Sequence, residues 1–381
     1  MYNFYEFFAG GGMARAGLGD QWNCLFANDF DHKKGRIYRR NWGGDTLKID
    51  DIKNLSPADL PGQSDVAWAS FPCQDLSLAG GGAGLKGDRS GTFWPFWALM
   101  KSLVVEGRAP NIIVLENVCG TLSSHGGEDF NALCTAFVKE GYLCGAVVVD
   151  AALFVPQSRP RLFVIGVRRD QTIPKHLISP APAAPFHNAA LRLAYHRLPV
   201  EGKQNWVWWA LPEPTRHKRQ ISDLIESNPT GVNWHTPEET QRLISMMSDI
   251  NLRKVKQARD SGKRLVGTVY KRTRANADGL KIQRAEVRFD SKAGCLRTPS
   301  GGSSRQIIVI VEGHSIKSRL ISGRETARLM GLPDTYILPE NYNETYHLTG
   351  DGVVVPVVRH LASSILEPLL DSQPVYLEVA A

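Results

Sequence analysis

"EFFAGGGMARAGL", residues Glu6–Leu18, carries an apolar run through Gly10, Gly11 and Gly12 into a segment with helical spacing. A strand, a glycine turn and a helix in that order form a cradle for a nucleotide-type ligand. The small residues let backbone approach the ligand, and the helix N-terminus offers free N–H groups. No Gly-Lys-Ser/Thr follows, which excludes a P-loop. A plain dinucleotide-binding unit stays open. Two carboxylates extend the cradle: Asp29 closes "CLFANDFD" where ribose hydroxyls would lie, and Asp51 in "KIDDIKNL" precedes the next strand.

Outward from this turn, short apolar runs alternate with amphipathic segments as far as about residue 170. "NFYEFFA", "WNCLFAND", "SDVAWAS", "PNIIVLENV", "LCGAVVVDA" and "RLFVIGV" read as strands. "TFWPFWALMKSLVVEG" and "EDFNALCTAFVKEGY" read as helices between them. The expected fold is α/β, a Rossmann-like doubly wound and mostly parallel sheet with ligands at the carboxyl ends of its strands. Four prolines between Pro174 and Pro185 break the pattern, and the chain to about 285 reads as irregular, tryptophan-rich and then basic. Regular structure returns at "RQIIVIVEG", and "SGRETARLMGLPD" sets Ser322 and Glu325 as a capping box. The division expected is 1–172, 173–285 and 286–381, with the final helix, "VPVVRHLASSILEPLL", returning to the first part.

Composition bounds the function. The 381 residues are 43% hydrophobic and carry a net charge of +7. The apolar runs are shorter than a membrane span, so no membrane partner is expected. Six cysteines lack Cys-x-x-Cys spacing, which argues against a zinc site or a disulfide framework and for a reduced, cytoplasmic compartment, and no metal is expected. Between Arg253 and Lys292, thirteen Lys or Arg face four Asp or Glu, a balance suited to a polyanion.

"DVAWASFPCQ" places Cys73 at the carboxyl end of a strand, and "NIIVLENV" ends the same way in Glu116 and Asn117. "VPQSRPRLF" adds Gln157, Arg159 and Arg161. Taken singly, Cys73 reads as a core thiol. A carboxylate following "NIIVL" needs a partner, and the arginines supply one. A thiol, a carboxylate and two guanidiniums at one rim form a chemical site.

"FAGGG", "FPCQ", "ENV" and "QSRPRLF", in this order, resemble the successive motifs of the DNA (cytosine-5)-methyltransferases. "RFDSKAGCLRTPSGG" and the stretch from "SGRETARLMGLPD" to "TGDGVVVPVV" resemble that family's last two. Asp351 stands where the family usually has asparagine, and Met13 where it commonly has glycine. The resemblance implies a methyltransferase fold with a smaller, irregular target-recognition domain. It implies a DNA methyltransferase that uses S-adenosyl-L-methionine to methylate carbon 5 of a flipped-out cytosine in double-stranded DNA. Cys73 would be the attacking thiolate, with Arg159 favouring its ionisation, Glu116 meeting charge on the ring nitrogen and Arg161 holding the carbonyl oxygen. The cofactor would lie against Phe8, Gly10, Gly12, Asp29, Phe30, Asp51, Ile52, Pro72, Asp351 and Val353. The glycine-rich loop after Cys73 would close over the base, with Gln74, Ser77, Lys86 and Arg89 on the DNA. Arg272 and Arg274, in "VYKRTRANADGLKIQR", would read bases. A monomer is expected, and a cognate restriction endonuclease acting on the same site is a compatible partner. A tRNA-methylating member of the same family, a non-catalytic DNA-binding relative and a nicotinamide-dependent oxidoreductase are the alternatives. The last leaves "FPCQ" and "ENV" unexplained.

Overall fold

The computed structural model describes residues 1–72, 90–215, 217–275, 279–298 and 304–372. The chain forms two compact units. Met1–Val149, Pro160–Pro214 and the segment from Val355 make the first, and Asp150–Arg159 with Thr215–Val354 makes the second.

An eight-stranded sheet organises the first unit. Its strands are β1 (Tyr2–Phe7), β2 (Trp22–Asp29), β3 (Leu47–Ile49), β4 (Val66–Ala69), β5 (Ile112–Val118), β6 (Tyr142–Asp150), β7 (Pro160–Arg168) and β8 (Trp206–Val207). They lie in the order β3-β2-β1-β4-β5-β7-β6-β8. From β3 to β5 every pairing is parallel, whereas β7 runs antiparallel to β5. The mostly parallel sheet expected from the alternating pattern is present. All four residues of β4 are fully buried, which is why "VAWA" reads as continuous rather than alternating apolar sequence.

Helices α1 (Met13–Leu18), α2 (His32–Trp42), α3 (Phe93–Val105), α4 (Glu128–Lys139), α5 (Ala189–Arg197) and α6 (Val200–Gln204) connect these strands. Phe7, Phe26, Phe71, Phe93, Phe96 and Trp97 are buried in one cluster, and rings such as Phe7 and Phe96 meet edge-on at 5.0 Å. Burial of each such ring contributes about 1.5–3 kcal/mol before conformational entropy is counted. The chain remains in the first unit to Pro214, beyond the proline-rich break at 174–185, because Trp206–Val207 of "NWVWWALP" pairs with β6 as the eighth strand. The first unit also holds α12 (Val355–Leu361) and α13 (Glu367–Asp371), so the final helix rejoins the large sheet's unit.

The second unit contains α7 (Ile221–Leu224), α8 (Pro237–Ser245), α9 (Asp249–Asp260), α10 (Gly323–Leu329) and α11 (Tyr342–Asp351). Strands β9 (Leu265–Ala275), β10 (Lys281–Arg288), β11 (Ile307–Glu312) and β12 (Ser315–Leu320) form an antiparallel sheet in the order β10-β9-β11-β12. The reading of residues up to 285 as irregular is corrected here. In "VYKRTR" long cationic side chains occupy the alternate positions that an ordinary core strand fills with apolar ones, which hides the period of two. Val269, Ala285 and Val287 nonetheless enter a core with Leu243, Val255, Ile307 and Val309. The capping box forms as expected: Ser322 Oγ accepts from the Glu325 N–H, and Glu325 accepts from the Ser322 N–H at 2.7 Å.

Among the described residues one helical run, Tyr342–Asp371, is long and apolar enough by length and composition to cross a membrane, which the short apolar runs of the sequence do not anticipate. Half of its apolar window is buried in the fold, and α11 and α12 are separated at Gly352–Val354.

Candidate active site

Strand β1 ends at Phe7, and Phe8 turns the chain with a left-handed φ of 57°. A bulky residue in that region is strained, and such strain gathers at functional sites. Gly10 and Gly12 continue the turn at φ of 56° and 77°, and Gly12 caps α1. A side chain at Gly12 is excluded on two counts: its φ is left-handed, and a Cβ would lie 2.3 Å from the Trp42 indole nitrogen. That indole donates to the Gly11 carbonyl at 2.9 Å and braces the turn from behind.

Asp29, at the end of β2, is 6% exposed and holds the turn from the other side. One carboxylate oxygen accepts from the Gly10 N–H and the other from the Asp31 N–H, both at 2.8 Å. Each oxygen keeps a second lone pair for a ligand hydroxyl. Burial pushes this carboxyl above its ordinary range, opposed by Lys34 and the two N–H donors. Phe30 beside it is 67% exposed, an apolar ring open to stacking. Asp51 is exposed and accepts from the Lys53 N–H at 3.0 Å, whereas the Ile52 side chain is buried in the core.

Glu6, which the motif reading passes over, lies directly beneath the turn and is 1% exposed. One oxygen accepts from the Arg15 N–H at 3.3 Å, and Oε2 has no hydrogen-bond partner. Burial pushes the carboxyl up to about 8, against the Arg15 N–H and charge. Its trace in the sequence is an acid inside "FYEFF", where a strand pays for desolvation.

At the carboxyl end of β5 the expected carboxylate–guanidinium partnership forms. Arg161 Nε lies 3.2 Å from Glu116 Oε1, and both side chains are largely buried. The antiparallel setting of β7 makes this possible, because its first residues then adjoin the last residues of β5, with Arg161 opposite Val118. Next to Glu116, Asn117 donates to the Phe71 carbonyl at 3.1 Å and fastens the segment leading from β4 to Pro72. Pro72 is partly buried and is the last described residue before 90. Cys73, Gln74, Ser77, Lys86 and Arg89 lie outside the described residues.

Arg159, expected to stabilise a thiolate at Cys73, has these bonds to described residues of the second unit. Its guanidinium donates to the carbonyls of Leu296 at 2.9 Å and of Gly350 and Gly352 at 2.8 Å, and to Cys295 Sγ at 3.3 Å. It thereby fixes the backbone on both sides of Asp351. Asp351 is exposed and accepts from the Thr298 hydroxyl, and Val353 is 5% exposed. Gln157 is fully buried, bonded to the Leu329 carbonyl and the Leu296 N–H. Arg272 on β9 pairs with Glu286 at 3.1 Å, and Arg274 belongs to the same strand.

The first unit thus holds a glycine turn after β1, flanked by an acid and an exposed aromatic ring, and a buried Glu116–Arg161 pair at the end of β5, two strands along the sheet. A family model for C-5 cytosine-specific DNA methylases matches residues 2–367. Type II methyltransferase M.HaeII of Haemophilus aegyptius is 24% identical over 374 residues, covering 97% of this chain and 94% of that protein. Type II methyltransferase M.BsuFI of Bacillus subtilis is 26% identical, covering 96% and 73% respectively. The fold is shared with a DNMT2 mutant from Spodoptera frugiperda, with a TM-score of 0.63, 16% identity and coverage of 97% of this chain and 100% of that one. With its motifs in order and the model matched over nearly its whole length, the chain belongs to the C-5 cytosine-specific DNA methylase family.

Proposed function

We propose that this enzyme transfers a methyl group from S-adenosylmethionine to carbon 5 of a cytosine flipped out of double-stranded DNA, through a transient Cys73 adduct. The observation that carries the reading is the buried Glu116–Arg161 pair, with Nε 3.2 Å from Oε1, at the carboxyl end of β5. The residues around the glycine turn fit the cofactor: Gly10 leaves open space, since a Cβ there would meet only Lys34 at 4.0 Å, Asp29 retains lone pairs for ribose hydroxyls, and Phe30 offers a ring face. When bound, the cofactor supplies an electrophilic methyl group on a sulfonium.

The chain's own residues prepare the base. Cytosine carbon 5 is a weak nucleophile, and thiolate addition at carbon 6 makes the ring an enamine with electron density at carbon 5. Charge reaching ring nitrogen 3 is met by a proton or hydrogen bond from Glu116. Arg161 holds the cytosine carbonyl oxygen and orients Glu116. After methylation, loss of the carbon 5 proton to a base and departure of the Cys73 thiolate restore the aromatic ring. Unstacking the base costs a few kcal/mol, which contacts from the 73–89 segment and the second unit offset. The likeness to Type II methyltransferases supports a restriction–modification role in the cytoplasm, with a cognate endonuclease acting on the same site.

Bisulfite sequencing of a host genome expressing the protein tests this. Protected cytosines should share one sequence context. Cys73→Ala should abolish them while duplex binding survives in a gel-shift assay. Persistent methylation by Cys73→Ala would refute the covalent route.

A further inference from the structure

In the antiparallel pairing of β9 with β10, Arg272 lies directly opposite Arg284, and Tyr270 lies opposite Glu286. Alternation along the strands puts Val269, Ala285 and Val287 on the face that enters the second unit's core. Tyr270, Arg272, Arg284, Glu286 and Arg288 therefore share the other face. Cβ atoms of directly opposed residues are about 4.5–5.5 Å apart, and like charges at that spacing destabilise a sheet. Glu286 balances one of the two charges through its ion pair with Arg272. Among the described residues no acid pairs with Arg284. The same face borders a cavity of about 280 Å³ lined by Lys254, Arg272, Glu286 and Arg288, where Glu286 answers Arg272 and Asp290 answers Arg288. The uncompensated charge is therefore that of Arg284 opposite Arg272, and an anion seated between those two guanidiniums removes its electrostatic cost.

One guanine edge presents two acceptors, enough for one arginine fork and not for two opposed ones. A backbone phosphate offers several anionic oxygens and the negative charge that relieves the repulsion. β11 pairs with β9 only as far as Val269, so Tyr270–Ala275 and their partners on β10 form a two-stranded ribbon, of a width that the major groove admits. We infer that Arg272 and Arg284 form a phosphate clamp, positioning residues that set the ribbon's register on the duplex without reading bases. This assigns a role to Arg284, which the sequence motifs leave out, and replaces base reading by Arg272. It rests on the reading of duplex DNA as the substrate.

The test measures the salt dependence of binding to a random-sequence duplex DNA library for the wild type, Arg284→Ala, Arg284→Lys and Arg272→Ala. The same library, methylated by each protein and bisulfite-sequenced, gives the site preference. Each alanine variant should lower the magnitude of the slope of log affinity against log salt by about 1, with the preferred sequence unchanged. Arg284→Lys, which keeps the charge, should keep the slope. An unchanged slope in the alanine variants, or a changed preferred sequence, overturns the clamp while leaving the methyltransferase reading intact. A wild type that does not bind the duplex library overturns both.

Discussion

Glu116 and Arg161 were legible as partners because an acid behind "NIIVL" needs a cation and "QSRPRLF" supplies one. Which arginine answers was not legible: two guanidiniums two residues apart read alike, and only the start of β7 at Pro160 separates their environments. Glu6 was missed for the opposite reason, since one acid within an apolar strand matches no motif. Its burial has a measurable consequence. The folded carboxyl stands near 8, while in the unfolded chain it returns to its ordinary value of about 4.3. Between those values the native state holds a proton that the unfolded state has released. Stability from this group is therefore present in full at low pH, declines as pH rises through the window, and is level above it. Asp29, also raised by burial, acts in the same direction. Glu6→Gln keeps the shape without the titration. Thermal melts between about pH 5 and about pH 8 should show the wild type losing melting temperature relative to the variant. Parallel curves would show that Glu6 stays ionised throughout.

The glycine turn depends on α1 being held at the correct distance, and Gly17 sets that distance. A Cβ there would fall 2.4 Å from Val358 Cβ and 2.7 Å from the Val355 carbonyl, both in α12. Gly17→Ala should push α1 off α12 and cost about 1–3 kcal/mol, as overpacking does. Urea melts should show a lower midpoint at an unchanged slope. An unshifted midpoint would mean that α12 yields without cost. Elements with one clear period were readable in the sequence, as β1, β2, β5, α3 and α4 were. Strand β8, two residues long, sits among tryptophans with no alternation to reveal it. Strands β9 and β10 are half core and half cationic face, and that second face masks the first. The reversal of β7, on which the Glu116–Arg161 contact depends, is a property of pairing that no local pattern encodes.

Over the whole molecule the chain passes between its two units at 149/150, 159/160, 214/215 and 354/355. The proline-rich stretch advertised one boundary, yet none of these passages falls there, because composition marks a bend and contacts define a unit. The last passage returns α12 and the turn after it, with Val357, Val358 and Leu361 of the helix and Ile365 and Leu366 of the turn all buried. Their burial at about 1.5–3 kcal/mol each is comparable to the 5–15 kcal/mol net stability of an ordinary domain. A chain ending at Val354 should consequently lose its cooperative thermal transition by near-ultraviolet circular dichroism. A sharp transition retained by that truncation would show that the large sheet folds without its final helices. The excursion 150–159 has a different consequence, which concerns inheritance. Arg159 finds its carbonyl acceptors at Leu296, Gly350 and Gly352, far along the chain but within the same unit. A recombination event that exchanges only 215–354 with a relative requires the incoming backbone to place three carbonyls where Arg159 donates. Exchanging 150–159 together with 215–354 keeps the guanidinium and its acceptors as one inherited set.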